Sequence, residues 1–366
     1  MEKYNTIVNP IPVRTWNWLG VNGTKLENEI PAIGTYKKQP LKTSNPAVSI
    51  INLDQNNQEY PVLDELNAGL NEELQEFVQV NQNSGFYIEI AANDQVKDPI
   101  LLQYELDDQD KTLVDQHMIL ARKNSEATIV IGYQAADESR GFHNGITKVY
   151  AEQGASVHLI KVQMLSEQDI HLDAINVFAE SDAQVDITTV ELGAAQAITS
   201  CRTNLAGDNS TVQVQAIYFG DKERKLDMNY VVSHKGKKSI GNMEIHGALM
   251  DKSQKTFRGT LDFLKGSRGA IGNEAEEIVL LSPNVRNRSV PLMLSGESDV
   301  EGHHAVSIGK MDEDKLFYLM SRGLSLSDAE KLVVEASFQP ALDKIPVSEI
   351  KTQISTYIRR RLSHAE

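Results

Sequence analysis

Residues Val149–Val157 read VYAEQGASV, and residues Val177–Val185 read VFAESDAQV. Both segments run from apolar residues through a short polar turn into a second apolar run. Three more segments follow the same plan: LARKNSEATI at Leu120–Ile129, NLAGDNSTV at Asn204–Val212 and, more loosely, VSHKGKKSI at Val232–Ile240. Five similar turns in one chain indicate an internal repeat.

The small residue that follows each turn gives the length of the repeat. It lies at Ala127, Ala155, Ala183 and Ser210, and these positions are almost equally spaced. The repeat is therefore about 28 residues long, and a period of about 20–50 residues is typical of repeat architectures. Counting back one more repeat from Ala127 reaches Pro99, within a strand-like run.

The segments between the turns are short and β-rich, and they lack a long helical pattern. In residues 185–190 and 211–216 the apolar side chains fall at every second position, as in a strand with one buried face. The predicted strand runs are Thr128–Gly132, Thr147–Tyr150, Ser156–Val162, Ala174–Phe178, Gln184–Val190, Thr211–Tyr218, Met228–Val232 and Thr256–Leu264.

Strands and turns without a helix in each repeat predict a mainly β protein built as a parallel β-helix, or solenoid. Stacked coils place equivalent strands in parallel register about 4.8 Å apart. The crossover preference of parallel strands predicts a right-handed coil. The less regular spacing beyond Ser210 leaves a β-sandwich with evenly spaced hairpins as the alternative.

The flanks differ from this core, and we expect three regions: an N-terminal mixed and helical region at 1–84, the β-helix core at 85–312 and a C-terminal helical module at 313–366. The last module contains an apolar stripe at helical spacing, which predicts packing against the core and in part against another surface. Predicted elements of the flanks are a polar linker at Asp54–Glu59 and helices at Leu70–Val78, around Leu316–Met320, at Ala329–Phe338 and after Pro346, where the stripe comprises Ile350, Ile354, Tyr357 and Ile358.

Charge and composition limit the functional classes. The 36 Lys and Arg residues against 51 Asp and Glu residues give a net charge of −15, which disfavours binding to nucleic acid or an anionic membrane. No apolar run approaches the roughly 20 residues of a membrane helix, and Met1–Tyr4 carries no apolar signal segment. We therefore expect a soluble, cytoplasmic protein. Cys201, the only cysteine, is expected to be a small buried residue in a reducing compartment.

Motifs for nucleotide hydrolysis or acyl transfer are absent from the sequence, which contains no Gly-x4-Gly-Lys-[Ser/Thr] and no Gly-x-Ser-x-Gly. Glu274, Glu276 and Glu277 form an acidic cluster, and paired carboxylates are what a glycoside-cleaving or lyase site uses. We expect this cluster to be a solvated face, but it leaves a polysaccharide-active β-helix enzyme as an alternative. His234 and His246 are twelve residues apart, a spacing that does not indicate a metal site.

Two consecutive segments near the C-terminus carry a family resemblance. Asp299–Ala305 reads DVEGHHA and Gly309–Gly323 reads GKMDEDKLFYLMSRG, and together they closely resemble the signature of the Suf B/D family of iron–sulfur cluster assembly scaffolds. Further segments fall in the family's order: Pro12–Trp16, His234, Lys238-Ser239, Gly247–Leu249, Phe257–Gly259 and Leu280–Ser282.

The resemblance implies a non-catalytic scaffold subunit with a right-handed parallel β-helix and a C-terminal helical module that docks the ABC-type ATPase SufC. It also implies that the β-helix pairs with that of the B-type paralogue SufB, and that clusters form at or near the seam. A single cysteine in 366 residues resembles the D-type subunit, because B-type chains are typically longer and richer in cysteine. The implied ATPase-docking residues are Leu316, Phe317, Tyr318, Arg322 and Gly323.

The signature departs from the family at two positions. Gly302 stands where D-type subunits often have a cysteine, and His304-Ala305 stands where B-type chains have His-Glu. His304 is therefore the candidate metal ligand and interface residue, with His303 as a second candidate, although neighbouring side chains on a strand point to opposite faces. One cysteine cannot hold a cluster that needs several thiolates. We expect no stably bound cofactor, a transient iron–sulfur cluster shared with the B-type partner and, as an alternative, a self-associating homodimer.

Overall fold

The computed structural model describes residues 4–29, 31–42, 45, 48–53, 59–136 and 139–362. Its centre is a parallel β-solenoid of eight coils, covered on its two sides by the N-terminal region and by C-terminal helices. The prediction of a mainly β, parallel solenoid is thus confirmed. The β-sandwich alternative is wrong, because the strands of the core pair in parallel ladders.

Nineteen strands and five helices make up the described part of the chain. The strands are β1 (Thr6–Val8), β2 (Thr24–Leu26), β3 (Val48–Asn52), β4 (Ser84–Ile90), β5 (Ile100–Leu106), β6 (Thr112–Ala121), β7 (Glu126–Ala135), β8 (Phe142–Ala151), β9 (Ser156–Met164), β10 (Ile170–Ala179), β11 (Gln184–Glu191), β12 (Gln196–Leu205), β13 (Thr211–Gly220), β14 (Lys225–His234), β15 (Ile240–Leu249), β16 (Gln254–Phe263), β17 (Ile271–Leu280), β18 (Arg286–Ser295) and β19 (Glu301–Lys310). The helices are α1 (Pro61–Asp64), α2 (Glu72–Asn81), α3 (Glu313–Ser321), α4 (Leu326–Asp343) and α5 (Ser348–Leu362).

Each coil contributes one strand to each of two sheets. The even-numbered strands from β4 to β18 form one sheet, with β3 added antiparallel at its edge, and the odd-numbered strands from β5 to β19 form the other. Side chains alternate between the shared interior and the outer surface, as the pleat requires. The alternating run at 185–190 accordingly buries Val185 and Ile187 in the main core between the sheets.

The predicted strand runs all lie in observed strands, apart from Leu264, which is one residue beyond β16. The ladder register corrects the position of the first repeat. Because Glu126 pairs with Ser156, the residue equivalent to Ala155 is Ser125 and not Ala127. The coils also differ in length, since the step from Ala183 to Ser210 is shorter than the step from Ser239 to Ala270. The small corner residues, all buried, are Ser125, Ala155, Ala183, Ser210, Ser239 and Ala270.

One residue before each buried corner, the backbone adopts a left-handed conformation. The residues in this column are Asn124, Gly154, Asp182, Asn209, Lys238 and Gly269, with φ between 54° and 74°. Glycine and, less easily, asparagine or aspartate tolerate this conformation. The polar turns noticed in the sequence are therefore tight corners that reverse the chain from one sheet into the other.

The N-terminal region covers the outer face of the even-numbered sheet. β1 and β2 pair as an antiparallel hairpin, and its loop leaves Trp16 and Trp18 exposed. The predicted helix at Leu70–Val78 is α2, which packs through Leu74 and Val78. Of the predicted linker Asp54–Glu59, residues 54–58 lie outside the described part of the chain.

The C-terminal helices cover the outer face of the odd-numbered sheet. Asp312 and Ser325 cap α3 and α4 through their side chains, and Gly323, at φ 98°, separates the two helices. The apolar stripe of α5 is buried against this sheet, together with residues such as Ile160 and Phe219. The predicted helices are therefore confirmed, and this stripe belongs to the protein's own core. Among the described helices, none has the length and apolar character to cross a membrane.

Candidate subunit interface

The two ends of the solenoid differ. At the first coil, β3 extends the even-numbered sheet and Leu41 forms an antiparallel bridge with Leu102 of β5, so that both sheet edges are covered. At the last coil, neither β18 nor β19 pairs with a further strand among the described residues. Two ten-residue strands, one in each sheet, therefore present free backbone groups at one end of the protein.

Side chains that would be interior in a central coil are open to solvent at this end. Met293 of β18 is 42% exposed, and Val306 and Ile308 of β19 are 39% and 48% exposed. The described residues provide no helix or loop that covers them. An unpaired strand edge beside exposed apolar residues is a surface on which another chain can add a strand.

His304 lies on β19 at the rim of this open end. Its side chain is 17% exposed, and Nδ1 is in contact with the Glu274 carboxylate of β17, the residue paired with it in the ladder. Neither Nδ1 nor Nε2 makes an aligned hydrogen bond among the described residues, and both nitrogen atoms are themselves buried. His303 is exposed on the opposite face of the strand, as the alternation of a strand predicts.

The acidic cluster of the sequence is divided between two environments. Glu277 is on the outer surface, but Glu274 and Glu276 are each only 2% exposed in the solenoid interior. The Glu276 carboxylate is in an ion pair with Lys255 and accepts a hydrogen bond of 3.3 Å from the Tyr218 hydroxyl. Burial lowers the pKa of Lys255 to about 8. The expectation of a solvated face is therefore wrong for these two residues, because they lie on the inward side of β17, where a polymeric substrate does not reach.

The remaining metal-ligand candidates are not brought together. His234 is buried in the interior, where its Nδ1 lies 2.8 Å from the Ser239 hydroxyl and burial lowers its pKa to about 4. His246 is on the outer surface beside Glu244. Cys201 is a free, buried thiol whose pKa is raised to about 12 by burial, as expected for a small core residue. Within the described residues, no three His, Cys, Asp or Glu side chains are grouped to hold a metal.

Sequence analysis missed a buried polar network inside coils two to four. The Asp115 carboxylate lies 2.6 Å from His143 Nε2 and 2.7 Å from His117 Nε2, and His143 Nδ1 lies 2.8 Å from His171 Nδ1. Gly145 leaves the space for it, since a Cβ there would lie within 3 Å of Asp115 and His143. A partial signal was present in the spacing, because Asp115, His143 and His171 follow one another at equal sequence intervals. The ladder nevertheless pairs Asp115 with Gly145, and only His143 and His171 are equivalent residues of successive coils.

The five implied ATPase-docking residues lie on α3 and in the turn after it. Leu316 packs partly against the core, whereas Phe317 is 75% exposed and Tyr318 is 56% exposed. Arg322 stacks on the Tyr318 ring at 5.3 Å and donates a hydrogen bond of 3.2 Å to its hydroxyl. Gly323 is exposed at the end of the turn. α3 therefore presents aromatic side chains outward, in contrast to α5.

Comparison with known proteins identifies the family to which this chain belongs. Residues 104–337 match the family model described as "SUF system FeS cluster assembly, SufBD core domain". This match covers more than half of the chain. The protein belongs to the SufBD family. The resemblance found in the C-terminal signature is thereby confirmed.

Curated SufBD relatives match over about three quarters of this chain. The iron–sulfur cluster assembly protein SufD of Bacillus subtilis is 27% identical over 282 residues, covering 76% of this chain and 64% of the relative. The SufBD family protein PH1385 of Pyrococcus horikoshii is 28% identical over 283 residues, covering 77% of this chain and 63% of the relative. The chain thus spans a little under two thirds of the length of these relatives. The D-type prediction agrees with the name of the Bacillus relative.

Proposed function

We propose that this SufBD protein is the D-type, non-catalytic scaffold subunit of a SUF iron–sulfur cluster assembly complex. Its solenoid pairs with a B-type paralogue, SufB, and its helix α3 docks the ABC-type ATPase SufC. The observation that carries the proposal is the asymmetry of the solenoid, which is covered at the first coil and open at the last.

The open end suits a partner that is itself a solenoid. Strand addition to β18 and β19 would pair their free N–H and C=O groups, which would otherwise be left unsatisfied once a partner buries this end. The exposed side chains of Met293, Val306 and Ile308 would then become interior residues of a joined core. In the absence of the paralogue, a second copy of this chain would cover the same strand edges. Its side chains would fit this end less well than those of the paralogue.

The outward face of α3 suits a second partner. Large aromatic residues and arginine carry most of the binding energy at protein interfaces, and Phe317, Tyr318 and Arg322 are all exposed. Met320 of α3 and Leu326 of α4 extend the apolar surface beside them. α4 and α5 hold this surface on the solenoid through buried residues such as Phe338 and Ile354.

The iron–sulfur cluster is the cargo of the assembly and is not a resident cofactor of this chain. Cys201 is buried away from the open end, and a cluster needs several thiolates. Of the two histidines of β19, His304 is the one on the interior side of the rim, and neither of its ring nitrogens makes an aligned hydrogen bond among the described residues. We expect the thiolates to come from the B-type partner and His304 to contribute one nitrogen ligand at the seam.

If both scaffold subunits are attached to ATPase subunits, the scaffold can transmit the movement of the ATPases to the seam. Closure of two ATPases upon ATP binding would move the helical modules of the two scaffold subunits. Because α4 and α5 are packed on the solenoid, this movement would be transmitted to the seam beside His304. Opening or remodelling the seam would then load or release the cluster.

The docking part of the proposal is tested by the double substitution Phe317→Ala and Tyr318→Ala in the full chain, which is purified alone and titrated with separately purified SufC. Deletion of 313–366 is unsuitable, because it would uncover the apolar surface beneath α4 and α5. Loss of two exposed aromatic anchors should weaken ATPase binding by about 2 kcal/mol or more, or at least about thirtyfold. Binding is measured by isothermal titration calorimetry.

The matched control is Val80→Ala, which truncates another exposed apolar residue on α2, on the other side of the solenoid. We expect Val80→Ala to bind SufC as the wild type does, and all three proteins to have the same thermal midpoint. Unchanged affinity of the double variant would overturn docking through α3.

A further inference from the structure

The only two tryptophans of the chain lie in the loop between β1 and β2 and are exposed to solvent. Trp16 is 73% exposed and Trp18 is 80% exposed, and Val13 and Leu19 of the same loop are also exposed. Single exposed apolar residues are normal on a protein surface, whereas a group of large ones marks an interaction site. Tryptophan is also among the residues that contribute most binding energy at protein interfaces. The loop therefore has the composition of a binding surface.

The conformation of this loop is fixed by its own hydrogen bonds. Asn22 Oδ1 accepts hydrogen bonds of 2.8 Å and 3.0 Å from the backbone N–H and the hydroxyl of Thr15. Asn22 Nδ2 donates hydrogen bonds of 3.0 Å to the Thr15 carbonyl and to Asn17 Oδ1. Gly20, at φ 63°, ends the short 3-10 turn Asn17–Leu19. A prearranged loop loses little conformational entropy on binding, so it can hold both indole rings ready for a partner.

A fully buried arginine fixes the hairpin to the solenoid. Arg258 of β16 has no exposed surface, and its Nε donates a hydrogen bond of 2.6 Å to the Val21 carbonyl. Its guanidinium also forms an ion pair of 2.7 Å with Asp227 of β14, which accepts a hydrogen bond of 2.7 Å from Asn9 Nδ2. The hairpin therefore contacts this ion pair on both sides of the loop. Hydrogen bonds to charged groups are the strong ones, so the base of the loop is held firmly on the even-numbered sheet.

The hairpin runs across the strands of this sheet toward the open end. Tyr4, which precedes β1, packs against β8, and Asn9 Nδ2 donates a hydrogen bond of 3.0 Å to a backbone carbonyl of β12. Val21, on the far side of the loop, is bonded to β16. The strands follow one another in the order β8, β10, β12, β14, β16 and β18, and β18 is the free edge. The loop at the tip is thus the part of the hairpin nearest to that edge.

We propose that the loop at 10–22 is an arm that packs Trp16 and Trp18 on the outer face of the partner solenoid joined at β18. This inference rests on the proposed pairing with SufB and adds a second contact to the pairing of strand edges. A strand added to β18 would lie about 4.8 Å beyond it and continue the even-numbered sheet. The outer face of the partner would therefore begin beside the loop, where it would cover the two exposed indole rings.

Fluorine NMR tests the arm directly, because 5-fluorotryptophan labels this loop and no other part of the chain. The two signals are assigned by their loss in Trp16→Phe and in Trp18→Phe. In the free chain both signals should shift between H₂O and D₂O, as solvent-exposed fluorine atoms do. Addition of separately purified, unlabelled SufB should reduce this solvent shift for both signals, whereas addition of SufC should leave it unchanged.

The contribution of the arm to affinity is measured with Trp16→Ala combined with Trp18→Ala. Loss of two exposed anchors should weaken binding to SufB at least about tenfold and leave binding to SufC unchanged. The matched control is Val62→Ala combined with Val80→Ala, which truncates two exposed residues of α1 and α2, the helices that lie over β6 and β8. This control should bind SufB as the wild type does.

The arm and the pairing fail in different ways. A complex with SufB in which both fluorine signals keep their full solvent shift, or an unchanged SufB affinity of the double tryptophan variant, would overturn the arm and leave the pairing intact. A reduced affinity of that variant for SufC would assign the loop to the ATPase and would equally overturn the inference. Absence of any complex between SufB and the wild-type chain would overturn the pairing and the arm together.

Discussion

At the scale of single residues, the contact between Glu191 and His171 has the partners of an ion pair but joins two uncharged groups. Their side chains approach to 3.8 Å in the interior of the fourth coil, both almost fully buried. Burial, with the charge of Asp173 as a second cause, raises the pKa of Glu191 to about 8. Burial, with the charges of His143 and Lys161, holds the pKa of His171 well below its usual range. At neutral pH we therefore regard both groups as uncharged and their approach as a contact of neutral groups.

This assignment predicts a pH dependence of stability. Between the unfolded pKa of 4.5 and the folded pKa of about 8, the folded state keeps a proton on Glu191 that the unfolded state has lost, so stability falls as pH rises. His234, with its folded pKa of about 4, acts in the opposite sense, but only up to about pH 6.5. From about pH 6.5 to pH 7.5, below the range in which buried Lys255 loses its proton, the Glu191 contribution remains, and the free energy of unfolding should fall by about 1 kcal/mol.

Glu191→Gln keeps the neutral form and should flatten this slope, which urea denaturation at several pH values would measure. The variant should already be more stable than the wild type at pH 6.5, because the unfolded wild type has lost the Glu191 proton at that pH, and the difference should grow toward pH 8. Parallel pH profiles of the two proteins would show that Glu191 is already ionised at pH 6.5 or contributes nothing.

At the residue scale, what the sequence could predict depends on how far apart in the chain the residues lie. The opposite orientations of His303 and His304 follow from the strand alternation alone, and they were predicted. The contact of His304 with Glu274 could have been found only with the register, since it joins residues on successive coils. The burial of Glu274 needed one further fact, the inward direction of alternate residues on β17.

At the scale of elements, the corners determine how closely successive coils stack. Gly207 and Gly236 occupy equivalent places in two consecutive corners, and a Cβ on Gly236 would lie 1.8 Å from the Gly207 carbonyl oxygen. The backbones meet here without side chains between them. This is a requirement for glycine that comes from close approach and not from a positive φ.

Gly236→Ala should therefore destabilise the chain by about 1–3 kcal/mol, as overpacking does. The control is Gly34→Ala, where no atom lies within 4 Å of the added Cβ and the change should stay within about 0.5 kcal/mol. The urea midpoints of the two variants provide the comparison. Equal midpoints would mean that the corners separate at little cost and do not fix the coil spacing.

The corners also show that sequence periodicity is sufficient to predict the fold but not the register of the strands. The turns predicted a solenoid because their polar pattern recurs, but Ser125 and Ala127 are both small residues after a turn, and the sequence alone favoured the wrong one. The coils differ in length because the turns on both sides of the solenoid differ in length, so a constant period places some strands out of register. Only the ladder hydrogen bonds decide the alignment.

At the scale of the whole molecule, three surfaces of the solenoid are covered by other parts of the chain. The N-terminal region covers the even-numbered sheet, α4 and α5 cover the odd-numbered sheet, and the segment before β4 covers the first coil. The last coil is the exception among the described residues, with its edges unpaired and its interior side chains exposed. The sequence predicted a solenoid, a fold whose terminal coils have strand edges without a neighbouring coil, but it could not show that only one of the two ends is left uncovered among the described residues.

The central claim is that the open end joins this chain to a B-type paralogue. The most direct measurement is size-exclusion chromatography with light scattering on the chain co-expressed with SufB. The wild type should elute as a one-to-one complex. Val306→Lys combined with Ile308→Lys places two charges in the joined core and should abolish the complex, whereas Ala305→Lys with Ser307→Lys, on the outer face of the same strand, should keep it. No complex with the wild type, or an undiminished complex with lysine at 306 and 308, would contradict the account.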